Sequence, residues 1–272
     1  MLSRQYAKLC DLRDFDDPEL IDAIRALVPE RDPYEHIERK VWEYAMVMLF
    51  LADTGHLDGG SRVLSVGAGN ERILFWLTNH VERMVATDIY GQGPFAEREA
   101  QASMLANPAA HAPAYEWRED ALEVHHMDGR RLRFPDGSFD AVFTVSSIEH
   151  FGTAPDVARA AAEIGRVLRP GGHALIITEY LVRHHPLDRA IGRLARLRAL
   201  SRTARDPGHG RRPALAELFD PHELRSLLVE PSGLVEMQQL DTRTSGHAHP
   251  RILLGAARST YTSVCLPLLK PR

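Results

Sequence analysis

Cysteine is nearly absent from this chain: there are two in 272 residues, Cys10 and Cys265, at opposite ends of the sequence. Two thiols build neither a disulfide framework nor a cysteine-based zinc site, and they suit a reducing compartment. Long apolar runs are also missing. The longest, residues 44–52, has nine residues, whereas a helical membrane span needs about 20. The opening MLSRQYAKLCDLRDFDD lacks the apolar centre of a secretory signal, so a cytoplasmic location is the default expectation. There is no basic excess: 33 Lys and Arg face 37 Asp and Glu, a formal net charge of -4, which gives no bulk attraction to nucleic acid. What is present, 44% apolar and 26% charged residues without internal repeats, is the composition of a globular chain able to bury one large core.

The periodicity changes near residue 55. Before it, Ile37, Val41, Ala45 and Met48 recur at helical spacing, and Gly55 with Gly59-Gly60 closes the run, so residues 1–55 are expected to form a helical cover. After it, short β-branched or aliphatic runs at 62–66, 83–87, 122–126, 140–145 and 173–178 alternate with helical patterns. Strands joined by helix-length connections imply right-handed crossovers and a parallel sheet covered on both faces. Between the fourth and fifth, Val157, Ala161, Ile164 and Leu168 mark one helix face that ends at Pro170-Gly171-Gly172. Asp220, Pro221 and Glu223 carry the pattern of a capped helix start. Two late strands, 234–241 and 251–259, are expected to pair antiparallel, because the nine residues between them are too few for a crossover. The expected fold is α/β, a doubly wound, mostly parallel seven-stranded sheet with an antiparallel last strand, and residues 56–272 form its main domain.

In VLSVGAGNER, a buried strand runs into Gly67, Ala68 and Gly69, where the backbone must turn sharply with no Cβ in the way. Asp88 comes 21 residues after Gly67, a spacing that lets a carboxylate reach the hydroxyls of an adenosine ribose. A dinucleotide fold shows the same pairing, and a glycine turn also occurs where only tight packing is needed. The ordered set VLSVGAGNE, TDIY, MDGRRLRFPDGSFDAVFTVSSIEHF and IGRVLRPGGHALIITEY resembles the class I S-adenosylmethionine-dependent methyltransferases over residues 60–180. That resemblance implies S-adenosyl-L-methionine as cofactor, with Gly67 and Gly69 bordering its methionine portion. It also implies Asp88 on the ribose, Ile89 beside the adenine, and Asp128 on the adenine amino group, with Met127 and Gly129 as neighbours. Ser146, Ser147, Glu149 and His150 then line the cleft at the transferable methyl group. Two positions depart from the family pattern, Ser65 and Glu71. A phosphate would be repelled by Glu71, whereas a sulfonium tolerates it, and this favours S-adenosylmethionine over NAD.

If the acceptor is a hydroxyl, its proton must leave during attack, and His150, with an ordinary pKa of about 6.5, is the expected base; packing beneath a loop is the alternative. Glu149 is expected to orient His150 or to bind cofactor. Residues 181–213 hold nine arginines, with Leu187, Ile191, Leu194 and Leu197 as an apolar stripe, and are read as a lid insertion. Its functional readings are an anionic acceptor, such as a sugar phosphate or lipid-linked glycan, or peripheral contact with an acidic membrane surface; a solvated arginine face is the plain one. The turn 242–250 is expected to bring Arg243, His247 and His249 near an acceptor, without a metal site. Trp42, Tyr90 and Phe95 are candidates to close over adenine or acceptor, and the first helix, with Arg39, Lys40 and Glu43, is expected to cover the cofactor. The implied activity is methyl transfer to a small-molecule or glycan acceptor, with a nucleotide-dependent oxidoreductase and a catalytically inactive binding module as rivals.

Overall fold

The computed structural model describes residues 2–35, 37–191, 215, 217–246 and 249–272. Its sheet has nine strands among these: β1 Lys8–Leu9, β2 Arg62–Val66, β3 Arg83–Asp88, β4 Leu122–His126, β5 Phe139–Val145, β6 Leu168–Arg183, β7 Val235–Glu236, β8 Leu254–Ala256 and β9 Ser259–Leu269. The path is β1-β9-β6-β5-β2-β3-β4, with β7 and β8 also paired to β9. The strands from β2 to β6 are parallel to their neighbours, and β9 runs antiparallel to β6. From β2 the chain steps outward through β3 to β4, then returns to β2's other side as β5. This reversal opens a crevice at the carboxyl ends of β2 and β5, where open α/β sheets bind ligands.

Burial explains the sequence texture. Neighbouring residues on each central strand point to opposite faces, and both faces are covered. Val63, Met84, Phe143, Leu175 and Cys265 join one cluster, which also holds Leu20 and Ile24 of helix α1 (Pro18–Leu27) and Val47 and Phe50 of helix α2 (Arg39–Asp53). Leu64, Val85, Val142, Ile176 and Leu266 join the other, beneath α5 (Ala154–Val167). Strands buried on both sides need no polar alternation, so they read as continuous apolar runs. Two shorter helices complete the set before α5: α3 (Arg72–Leu77) follows β2, and α4 (Ser103–Ala106) lies between β3 and β4. After β6, Asp220 caps the turn Pro221–Leu224 with a reciprocal bond to Glu223, and the helix continues through a π-helical segment, Arg225–Val229.

Two expectations fail at the chain ends. Residues 1–55 are not all helical: β1 pairs with β9, setting Lys8 opposite Cys265, so the two termini meet in one sheet. Nor do 234–241 and 251–259 pair with each other. Only Val235–Glu236 and Leu254–Ala256 become strands, and both pair with β9, which begins at Ser259. The signal of β9 was hidden by its own burial and by Pro267, which reads as a strand breaker. In the stretch expected as a lid, Leu181–Arg183 continues β6 and residues 186–191 are helical, with Leu187 and Ile191 exposed. Residues 192–214, with most of its arginines and with Leu194 and Leu197, lie outside the described residues.

A histidine pair joins the amino-terminal ends of the strands. His56 Nε2 lies 2.9 Å from His173 Nδ1, and His56 Nδ1 lies 3.0 Å from the Ser61 hydroxyl. Burial, reinforced by the neighbouring His173, pushes the His56 pKa down to about 4. The folded state therefore favours neutral His56, and its contribution is present above the unfolded value of about 6.5 and lost as pH falls towards 4. We expect stability to drop by about 1–2 kcal/mol between pH 7 and pH 5 from this group. Denaturant titrations should show that drop, and His56→Gln should flatten it.

Candidate active site

The glycine turn is locked to the end of β3. Gly67 and Ala68 donate their N–H groups to the Thr87 carbonyl at 2.8 and 3.0 Å. Gly67 has φ of +69° and Gly69 of +50°. A Cβ on Gly67 would stand 2.6 Å from Ser147 Cβ, and one on Gly69 would stand 2.7 Å from the Glu99 carbonyl oxygen. Both glycines are thus required by the close approach of the chain itself. Asp88 accepts the Gly69 N–H at 2.8 Å and the Ile89 N–H at 2.7 Å, while burial raises its pKa. The Met127 N–H bonds the Asp88 carbonyl at 3.0 Å, so the ends of β3 and β4 meet beside the turn. Asp128 is bound by Arg130, Nη2 to Oδ2 at 2.6 Å, and this pairing holds its carboxyl below the usual range. Gly129 packs so closely that a Cβ there would lie 2.5 Å from the Phe151 ring.

A charged cluster descends on the same crevice from α2. Glu43 is fully buried. Its Oε1 accepts the Ser146 hydroxyl at 2.8 Å and also the Ser263 hydroxyl, tying α2 to the end of β5 and to β9. Burial opposes its charge, but Lys40, Arg39 and the two hydroxyls outweigh it and hold the carboxyl below its ordinary value. Ser146 itself has φ of +46°, a strained value for a residue with a side chain. Arg39 pairs with Glu179 at 2.8 Å, and its guanidinium carbon lies 5.5 Å from the Tyr261 ring centre. Lys40 pairs with Glu71, whose pKa burial pushes up to about 7. Arg39 Nη1, Glu43 Oε2 and Glu71 Oε2 are buried with no hydrogen-bond partner among the described residues, although Lys40 Nζ lies 3.4 Å from Glu43 Oε2.

His150 follows β5 in a short 3-10 turn, Ile148–His150. Its Nδ1 lies 3.1 Å from Glu217 Oε2, and its ring meets Phe95 with centroids 4.8 Å apart. Burial alone would lower its pKa, yet the Glu217 hydrogen bond and the Glu149 charge outweigh burial and raise it. Glu149 bonds the Thr178 hydroxyl at 2.8 Å, so the hydrogen bond that orients His150 comes from Glu217.

Other expected residues hold partners of their own. Trp42 Nε1 donates to Asp14 at 2.7 Å within the core, and Tyr90 donates to the Gly69 carbonyl at 2.8 Å. Arg243 pairs with Asp241 at 2.6 Å, His249 Nδ1 accepts the Arg251 N–H at 3.3 Å, and His247 lies outside the described residues. Sequence reasoning missed Glu179, Glu217 and Ser263 altogether. It noted Glu43 only as part of a cover, although a carboxylate inside an apolar helix run was the available signal.

Residues 64–176 match the model of the methyltransferase domain family. An uncharacterised methyltransferase of Bacillus subtilis, YcgJ, is 26% identical over 69% of this chain and 66% of its own length. The 27-O-demethylrifamycin SV methyltransferase of Amycolatopsis mediterranei is 28% identical over 67% and 59%. The chain thus spans less than two thirds of these relatives. A solved structure from Galdieria sulphuraria, provisionally assigned as a sarcosine dimethylglycine methyltransferase, superposes with a TM-score of 0.53 at 16% identity. It covers 92% of this chain and 98% of its own, and shows the shared fold. Residues 64–176 thus carry a methyltransferase domain, and the chain is similar to the class I S-adenosylmethionine-dependent methyltransferases, a group whose methyl donor is S-adenosylmethionine.

Two stability effects follow from this geometry. Gly67→Ala should cost about 1–3 kcal/mol, from left-handed strain and the collision with Ser147, and chemical denaturation measures it. Glu43→Ala should cost about 3–5 kcal/mol, because it takes one of two carboxylate partners from Arg39 and from Lys40 and the acceptor from the Ser146 and Ser263 hydroxyls; a loss below 1 kcal/mol would show that α2 is held by its apolar face alone.

Proposed function

We propose that the protein transfers the methyl group of S-adenosylmethionine to a hydroxyl of a small-molecule or glycan acceptor, with His150 as the base. The observation that carries this reading is the contact of His150 Nδ1 with Glu217. A carboxylate accepts only, so Nδ1 donates and Nε2 is left as the acceptor for a proton. His150 Nε2 would take the proton of the acceptor hydroxyl as its oxygen takes up the methyl group, which S-adenosylmethionine would supply on leaving as S-adenosylhomocysteine. The relative from Amycolatopsis mediterranei, named for a 27-O-demethylated substrate, supports oxygen as the methylated atom.

The residues present suit the cofactor. It brings a sulfonium and an ammonium group, and Glu71 Oε2, a buried carboxylate oxygen with no hydrogen-bond partner among the described residues, suits a cation. Arg39 Nη1 is an unpaired buried donor suited to its carboxylate. When bound, S-adenosylmethionine supplies an electrophilic methyl group. Gly67, Ala68 and Gly69 with Ser146 would border its methionine portion, Asp88 its ribose, and Ile89, Met127, Asp128 and Gly129 its adenine. Residues 1–55 act in this reading as the cover of the cleft and 56–272 as the methyltransferase domain.

His150→Ala should lower kcat about 10²-fold with the affinity for S-adenosylhomocysteine kept; an unchanged rate would assign His150 to packing. A base works when deprotonated, and Glu217 helps raise the His150 pKa. Glu217→Gln should therefore move the acidic limb of the pH–rate profile to lower pH, while reducing the maximal rate.

A further inference from the structure

Glu149 is 2% exposed and only half satisfied. Its Oε2 accepts the Thr178 hydroxyl, and its Oε1 is buried without a hydrogen-bond partner among the described residues. Burial, against the pull of His150, pushes its pKa up to about 7. Among the described residues, the cations within its electrostatic reach pair with other carboxylates, Arg39 with Glu179 and Glu43 and His150 with Glu217. Glu149, Glu179 and Glu217 thus put three carboxylates within electrostatic reach of the base. An anionic acceptor would be repelled there. A neutral donor would satisfy one lone pair yet leave the buried charge uncompensated, whereas an ammonium group does both.

We propose that Glu149, seated on Thr178 beside His150, recognises a protonated amino group of the acceptor, which makes the substrate an amino-hydroxy compound such as an amino sugar or amino alcohol. This deepens the reading of His150 as the base for a hydroxyl: Glu149 holds the cation and His150 takes the hydroxyl proton. Glu149 is a binding residue for substrate charge, and its loss should act on KM more than on kcat.

The test is incorporation of labelled methyl from S-adenosylmethionine into amino sugars and amino alcohols, each run beside its neutral and its carboxylate analogue. The amine-bearing members should show kcat/KM at least about 10-fold above their neutral partners. Glu149→Gln should remove most of that preference through a higher KM, and Glu149→Asp should restore part of it. Equal use of the three classes, preference for the neutral or carboxylate members, or no label in any member overturns the assignment. So does a Glu149→Gln loss that is the same for amine and neutral acceptors. Should the variants fail to fold, the ranking of acceptors by the unaltered protein decides alone. Label that enters neutral acceptors and disappears in His150→Ala would end the role of Glu149 while hydroxyl methylation stands.

Discussion

A fully desolvated carboxylate on an otherwise apolar helix is the constraint from which the site's architecture follows. Glu43 leaves water only because two serine hydroxyls and two cations surround it. An isolated buried charge costs several kcal/mol, so none of these partners is dispensable. Satisfying Glu43 fixes α2 over the crevice, draws β9 to its place beside β6, and holds Ser146 in a backbone conformation that few side chains adopt. The hydrophobic burial of α2 supplies the driving force, and the ionic contacts set where along the sheet that burial stops.

The same economy of charge organises the crevice. Glu43, Glu71, Glu149 and Glu179 face Arg39 and Lys40, and two of the four, Glu71 and Glu149, are pushed up to about 7 by burial. An excess of buried carboxylates is a poor device for stability and a good one for binding cations in a low-dielectric pocket. In the proposed reading a sulfonium cofactor occupies one part of that field. The glycine turn works differently. It packs against Ser147 and Glu99 and bonds Thr87, which makes it a rigid wall whose shape is set before any ligand arrives.

His150 shows how neighbours convert an ordinary side chain into a poised one. Phe95 fixes the ring plane, Glu217 takes one nitrogen, and the surrounding negative field favours the protonated form. Glu217 lies 67 residues from His150 in the chain and enters the crevice after β6. No local pattern connects the two.

What could be read from the residues alone was whatever depends on short spacing. The parallel strands 62–66 and 122–126 emerge with the bounds expected of them, because apolar runs between helix-length segments are a local property. The adjacency of Gly69 and Asp88 was likewise implicit in one strand–helix–strand unit. The pairing of β1 and β9, the burial of Glu43 against Ser146 and Ser263, and the meeting of Glu217 with His150 join residues 67 to 257 positions apart. Such contacts form only when the whole sheet closes, since their energy comes from desolvation and partner geometry that no segment possesses by itself.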